Sequence, residues 1–311
     1  MALAEPGLYQ MSDDEYQSDP CEAISLRSSI AWKLVEPRST PAHAWWACER
    51  LNPNFAREEK NYFDIGKAAH AMLFGKGAGI TIIGADDYKG KKARAARERA
   101  YAAKEIPLLV AEHAKVSAMV EAARRQIGEM VDAGTLSQNP FETEHTETVA
   151  VAVVDGVLCR CMMDSWIFAD DVITEYKTEG QSAHIDVWQW RARKLGYIFR
   201  LAFYRKILET LGVAFSPRIE VFVQEKEPPY LLAFYRIEDE LIARADEQVR
   251  KALKIWRKCL ASNHWPGYPV EGFDLGLTEK EMQQEFVAPQ PGGPVHVMSE
   301  DIEYGPVKYI D

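Results

Sequence analysis

Residues 146–178 constrain the fold more tightly than any other stretch of the chain. Three β-rich runs, TETVAVAVV, GVLCRCMMDSWI and DDVITEYKT, follow one another with only short joins between them. Asp155-Gly156 and Asp170-Asp171 supply the turn chemistry of two hairpins. The third run then ends in Glu175-Tyr176-Lys177. Residues two apart in a strand share a face, so a carboxylate and an ammonium point the same way from an otherwise apolar strand. The hairpin can bring Asp164, in the second run, alongside them.

Helical patterns flank this β-rich centre. Residues 11–50 read as a loop and two short helices, with Ser28 or Ser29 a candidate N-cap for IAWKLV and Pro37 closing that helix. TPAHAWWACERL restarts with a Thr-Pro signal. The core IGKAAHAMLFG reads as a closely packed buried helix ended by Gly75 and Gly77. Residues 90–130 are rich in Ala, Lys, Arg and Glu and read as two helices divided at Pro107. The basic run in the first of them reads as a solvated helix face. Beyond the β-rich centre come one long helix over HIDVWQWRARKLGYIFRLAFYRKILETL, two strands, SPRIEVFVQEKEP and PYLLAFYRIED, and a final helix, DELIARADEQVRKALKIWRKCLASN. No repeat and no linker is evident. The expectation is one α/β domain over 1–265, with a helical N-terminal part at about 11–130, a sheet core at about 140–260, and an irregular extension over 266–311.

Composition narrows the class. A hydrophobic content of 47% with 27% charged residues is that of a soluble globular chain. No run is long enough to span a bilayer, and the start MALAEPGLYQ lacks a basic region followed by an apolar one, so a cytoplasmic protein is expected. Cys21, Cys48, Cys159, Cys161 and Cys259 lack the paired Cys-x-x-Cys spacing of zinc knuckles and iron–sulfur sites, and read as reduced thiols. The net charge of −10 disfavours a broad DNA-coating surface but is compatible with basic residues gathered in one groove. Trp45, Trp46, Trp188 and Trp190 read as core residues, with one or two available to stack on a separated strand.

Two carboxylates can hold Mg²⁺ while leaving room for water and phosphate oxygens. A lysine beside them can orient the water or stabilise developing negative charge. A lone Glu-x-Lys is a common strand end, and its neighbours decide the matter. Six features stand in order: SLRSSIAWKLVEPRSTPAHAWW, GKAAH (Gly66 to His70), TETVAV with Glu147, Asp164, EYKT, and GYIFRLAFY (Gly196 to Tyr204). In this order the chain resembles the PD-(D/E)XK nuclease superfamily, and more narrowly the exodeoxyribonuclease VIII group and its phage lambda exonuclease relatives, over roughly residues 10–260.

The resemblance implies a restriction-endonuclease-like core, with a mixed central sheet flanked by helices. It implies that Asp164, Glu175 and the backbone carbonyl of Tyr176 ligate Mg²⁺, for which Mn²⁺ can substitute, with room for two ions. Lys177 would support the attacking water, and His70 would be a further metal-site residue. Glu147 is the weaker addition, because Glu142 and Glu144 stand close by. Arg27, Ser28 and Ser29 match a region that contacts a terminal phosphate, although helix capping claims the serines equally. Arg160, Arg200 and Tyr204 would contact DNA, Arg200 standing where the family has Gln. The implied activity is 5′ to 3′ resection of linear duplex DNA for a single-strand annealing protein, by a ring-shaped homo-oligomer of phage or prophage origin. A structure-specific endonuclease or repair nuclease and a catalytically weakened DNA-end-binding module are the alternatives.

Overall fold

The computed structural model describes residues 3–55 and 64–272. In chain order these form β1 (Gly7–Gln10), α1 (Asp13–Gln17), β2 (Leu26–Arg27), α2 (Ser28–Lys33), α3 (Pro41–Trp46), α4 (Asp64–Phe74), β3 (Ile80–Ile83), α5 (Lys91–Ala102), β4 (Ile106–Leu109) and α6 (Val110–Asp132). There follow β5 (Thr146–Val154), β6 (Val157–Ile167), β7 (Val172–Glu179), α7 (Ile185–Lys194), α8 (Tyr197–Leu211), β8 (Arg218–Glu225), β9 (Leu232–Ile237) and α9 (Asp239–Ser262). The chain divides into Met1–Gly267 and Tyr268–Asp311. Only residues 268–272 of the second unit are described, so most of the expected extension lies outside the described residues.

The main sheet runs β1-β5-β6-β7-β8-β9, with β2 paired to β6 off this path. Strands β5, β6 and β7 form the expected antiparallel meander. Its first turn is tight: Val154 pairs with Val157, and Asp155 and Gly156 both take positive φ, at 48° and 78°. That geometry matches the twist of a two-residue hairpin. Strand β7 then pairs in parallel with β8 over its whole length, and α7 and α8 make the crossover between them.

Strand β6 is shared unequally. Val157–Ser165 pair with β5, but only Ser165–Ile167 pair with β7, while Cys159 and Arg160 pair with β2. Strands β6 and β7 therefore diverge just before Ser165, and Asp164 stands at the point of divergence. Alternation along β7 sends its side chains to two cores. Ile173 joins α2, α8 and α9 residues such as Ile30, Phe199, Phe203 and Trp256. Tyr176 joins α4 and α6 residues such as Leu73, Phe74, Val116 and Met119, together with Phe141 and Phe222. Helices thus cover both faces of a mixed sheet, in the restriction-endonuclease-like arrangement the sequence suggested.

Three local readings need correction. Residues 106–109 are strand rather than helix: β4 pairs in parallel with β3, and the two make a small separate sheet. The α2 helix begins at Ser28 with Arg27 in the cap position, so neither serine is the N-cap, and it ends before Pro37, at Lys33. The long helix after β7 is two helices, broken at Gly196, whose φ is +72°. A Cβ there would lie 2.7 Å from the Trp32 ring, so α8 packs against α2 only because that position has no side chain.

Candidate active site

The site is built where β6 leaves β7. The backbone N–H of Tyr176 has no ladder partner on β6 at this level, and it donates instead to Asp164 Oδ2 at 2.8 Å. One carboxylate oxygen is thereby fixed against the backbone of the Glu-x-Lys strand. From β7, Lys177 Nζ reaches Glu175 Oε2 at 2.6 Å, Tyr176 O at 3.1 Å and Asp164 Oδ2 at 3.3 Å. A single ammonium therefore touches Asp164, Glu175 and the Tyr176 carbonyl, three of the five groups that the sequence nominated for a metal site.

His70 enters from α4. Its ring stacks on Phe74 at 4.2 Å between centroids, while Nε2 lies 3.2 Å from Asp164 Oδ1 and Nδ1 lies 3.5 Å from Glu147 Oε1. Glu147 owes its place to register. Thr146 pairs with Ser165 and Thr148 with Met163, so Glu147 falls opposite Asp164. Its φ of +51° is a left-handed conformation that non-glycine residues adopt at a cost. Glu142 and Glu144 are exposed instead.

Burial and charge pull the two central carboxylates apart. Burial works to raise Asp164, but the Lys177 ammonium, the His70 ring and the Tyr176 N–H hold it well below the usual carboxylate range. Glu175 is raised, first by burial and then by the neighbouring Asp164 charge, against the pull of Lys177. For His70, burial is outweighed by the Asp164 charge, and its affinity for a proton rises. Glu147 is raised by burial.

The donors suit a hard divalent cation. Carboxylate and carbonyl oxygens are the ligands Mg²⁺ prefers, and a positive group already sits against three of them. Glu175 is only 2% exposed, yet its Oε1 is buried without a hydrogen-bond partner. Among the described residues no three His, Cys, Asp or Glu side chains form a ready cage. Lys177 Nζ stands between the two carboxylates, within reach of both.

The nominated DNA contacts fall into two groups. Arg200 lies over the Tyr197 ring at 5.5 Å and, with Glu175, Lys177 and Trp188, lines a cavity with room for about one water. Arg27 is half-buried and donates to Gln17, and Ser29 is exposed while Ser28 is buried. Two expectations fail. Arg160 is buried, with Nη1 3.1 Å from Asp19 Oδ1 and 2.7 Å from both Ser25 O and Ser25 Oγ, so its charge is consumed inside the protein. Tyr204 is buried in the core beneath α8 and is not presented to a DNA chain. Sequence reasoning missed Arg191, whose forked guanidinium holds both Glu179 oxygens at 2.9 Å and ties α7 to the end of β7. No local motif links two residues joined by a bend and a helix.

Comparison with known proteins bears on the fold and the family. A solved structure from Eubacterium rectale, described as a candidate exonuclease, aligns with a TM-score of 0.53 at 12% identity, covering 84% of this chain and 96% of that one. A phage-related exonuclease from Haemophilus somnus 129PT aligns with a TM-score of 0.31 at 13% identity, covering 78% and 97%. No curated protein matches the sequence. The family model described as "PDDEXK-like domain of unknown function (DUF3799)" matches residues 38–274, which span Asp164, Glu175 and Lys177. The chain belongs to this PDDEXK-like family.

Proposed function

We propose that the protein is a metal-dependent DNA exonuclease that hydrolyses phosphodiester bonds at the Asp164–Glu175–Lys177 centre. The observation that carries this reading is the convergence of Asp164 Oδ2, Glu175 Oε2 and Tyr176 O on one positive charge. Asp164, Glu175 and the Tyr176 carbonyl would hold Mg²⁺ or Mn²⁺, with His70 and Glu147 at hand for a second ion. Such an ion supplies Lewis-acid polarisation of the phosphate and a water acidic enough to attack near neutral pH.

The chain's own residues do the rest. Lys177 orients the attacking water and offsets the charge growing on the phosphate. His70 keeps Asp164 Oδ1 and Glu147 in place from the α4 side. The buried surroundings of Glu175 strengthen each of these interactions. The exonuclease description of the Eubacterium rectale protein favours end-directed cleavage. We extend the reading to 5′ to 3′ resection, leaving 3′ single strands for an annealing protein, by a cytoplasmic ring-shaped homo-oligomer whose nuclease domain spans 1–265.

Digestion of linear against covalently closed circular duplex, with Mg²⁺ and with EDTA, tests the proposal. Mg²⁺-dependent loss of the linear form alone is expected, and 5′ and 3′ end-labels then fix polarity. Nicking of the circle replaces the reading with an endonuclease. Binding without cleavage of either form replaces it with a DNA-end-binding module, in which Arg200 beside Glu175 and Lys177 marks the altered site.

A further inference from the structure

Between α4 and α6 the chain inserts a small unit, residues 75–109, that adds no strand to the main sheet. It has its own small core of Ile83, Ala93 and Leu109. Its helix, α5, is the most basic stretch of an acidic chain: residues 89–99 hold six cations and one acid, Glu98, against a net charge of −10. Ala93 and Ala100 face inward, whereas Lys91, Lys92, Arg94 and Arg99 are exposed. Among the described residues none of these four is ion-paired. By contrast Lys89 meets Asp87, and Arg97 lies over Tyr88 at 4.6 Å.

The pattern is a poor one for helix stability. The first turn of α5 carries no acid, no side chain caps it, and Lys91 and Lys92 sit at the positive end of the helix dipole. A merely solvated helix gains from acids there and from Glu-to-Lys pairs along its length. The mounting is firm nonetheless. Tyr88 donates to Glu112 Oε2 at 3.0 Å, and Tyr101, in the last turn of α5, donates to Asp64 Oδ2 at 2.6 Å. Asp64 opens α4, and His70 lies six residues along that helix, about 9 Å by helical rise. The strip is thus tied to the helix that supplies a catalytic-site side chain.

We propose that Lys91, Lys92, Arg94 and Arg99 form a phosphate-contacting strip for the backbone of the DNA. The inference rests on the nuclease reading above and assigns the insertion as the place where an acidic protein holds a polyanion. Lys92 and Arg99, two turns apart on one side of α5, span about 10.5 Å, room for successive phosphate contacts. Contacts of this kind give affinity and register without sequence preference.

The test is anisotropy of a labelled linear duplex against NaCl concentration, in EDTA so that no cleavage occurs. The quadruple Lys91→Gln/Lys92→Gln/Arg94→Gln/Arg99→Gln variant, which keeps residues of good helix propensity, is compared with wild type. So is a control that removes four exposed cations from α9: Arg244→Gln/Lys251→Gln/Lys254→Gln/Lys258→Gln. Loss of about 0.9 from the log–log salt slope per contact removed is expected, about 3.6 in all. At least a tenfold weaker affinity should accompany it, with KM raised and kcat unchanged in Mg²⁺. The charge-conserving Arg94→Lys/Arg99→Lys variant should keep the wild-type slope. If the quadruple variant misfolds by circular dichroism, Lys92→Gln and Arg99→Gln singly should each lower the slope by about 0.9. An unchanged slope, or an equal loss in the α9 control, overturns the strip while leaving cleavage by the wild type intact. A wild type that neither binds nor cleaves DNA overturns both readings.

Discussion

Lys177 is the residue on which the metal-free site depends. Its side chain and that of Asp164 are 21% and 15% exposed and that of Glu175 is 3% exposed, so the ammonium neutralises two largely buried carboxylates. Removing one partner of such a cluster leaves uncompensated charge, at a cost of about 3–5 kcal/mol. In urea unfolding with EDTA, Lys177→Ala is expected to lose about that much stability, and Mg²⁺ should restore part of it by binding the native state alone. An unchanged midpoint in EDTA would show that the carboxylates do not rely on Lys177. Asp164, Glu175 and Lys177 were legible in the sequence because strand alternation and one hairpin suffice to bring them together. Glu147 could not be separated from Glu142 and Glu144, since the choice depends on a positive φ and on cross-strand register. Arg160 misled for a different reason: its partners, Asp19 and Ser25, lie more than 130 residues earlier in the chain and cover the sheet face it points to.

The elements hold this cluster in place through one close approach. Gly196 ends α7, starts α8 and lets the chain pass over the Trp32 ring, so that Arg200 and Leu201 come to line the cavity beside Glu175. Gly196→Ala must place a side chain at φ +72° and 2.7 Å from that ring. A loss of about 2 kcal/mol or more is expected from strain and overpacking together. Thermal unfolding would read it, and a melting temperature equal to wild type would show that α2 can yield. The break was hidden in the sequence because helix-forming residues run on both sides of a lone Leu-Gly. The β3–β4 pair was hidden for the opposite reason: ITII and IPLL are only four residues each, IPLL runs straight into a helical pattern, and their pairing joins segments 26 residues apart. By contrast, the Asp-Gly hairpin and α9 carry their own local signals, so their expected places agree with those observed.

At the scale of the whole molecule, the sheet presents the carboxylates and the helices on its two faces bring His70 and Arg200 to them. The inserted α5 helix carries the densest run of positive charge on an otherwise acidic chain. No helix among the described residues is long and apolar enough to cross a membrane. The family match fixes the fold and leaves the chemistry to the site itself. The most direct test is the single-turnover cleavage rate of an end-labelled linear duplex at saturating Mg²⁺, for wild type and for Lys177→Ala shown to be folded and DNA-bound. The site predicts a rate lower by about 10²- to 10³-fold in the variant, with binding retained. Cleavage by the variant at the wild-type rate would contradict it and move the chemistry away from this centre.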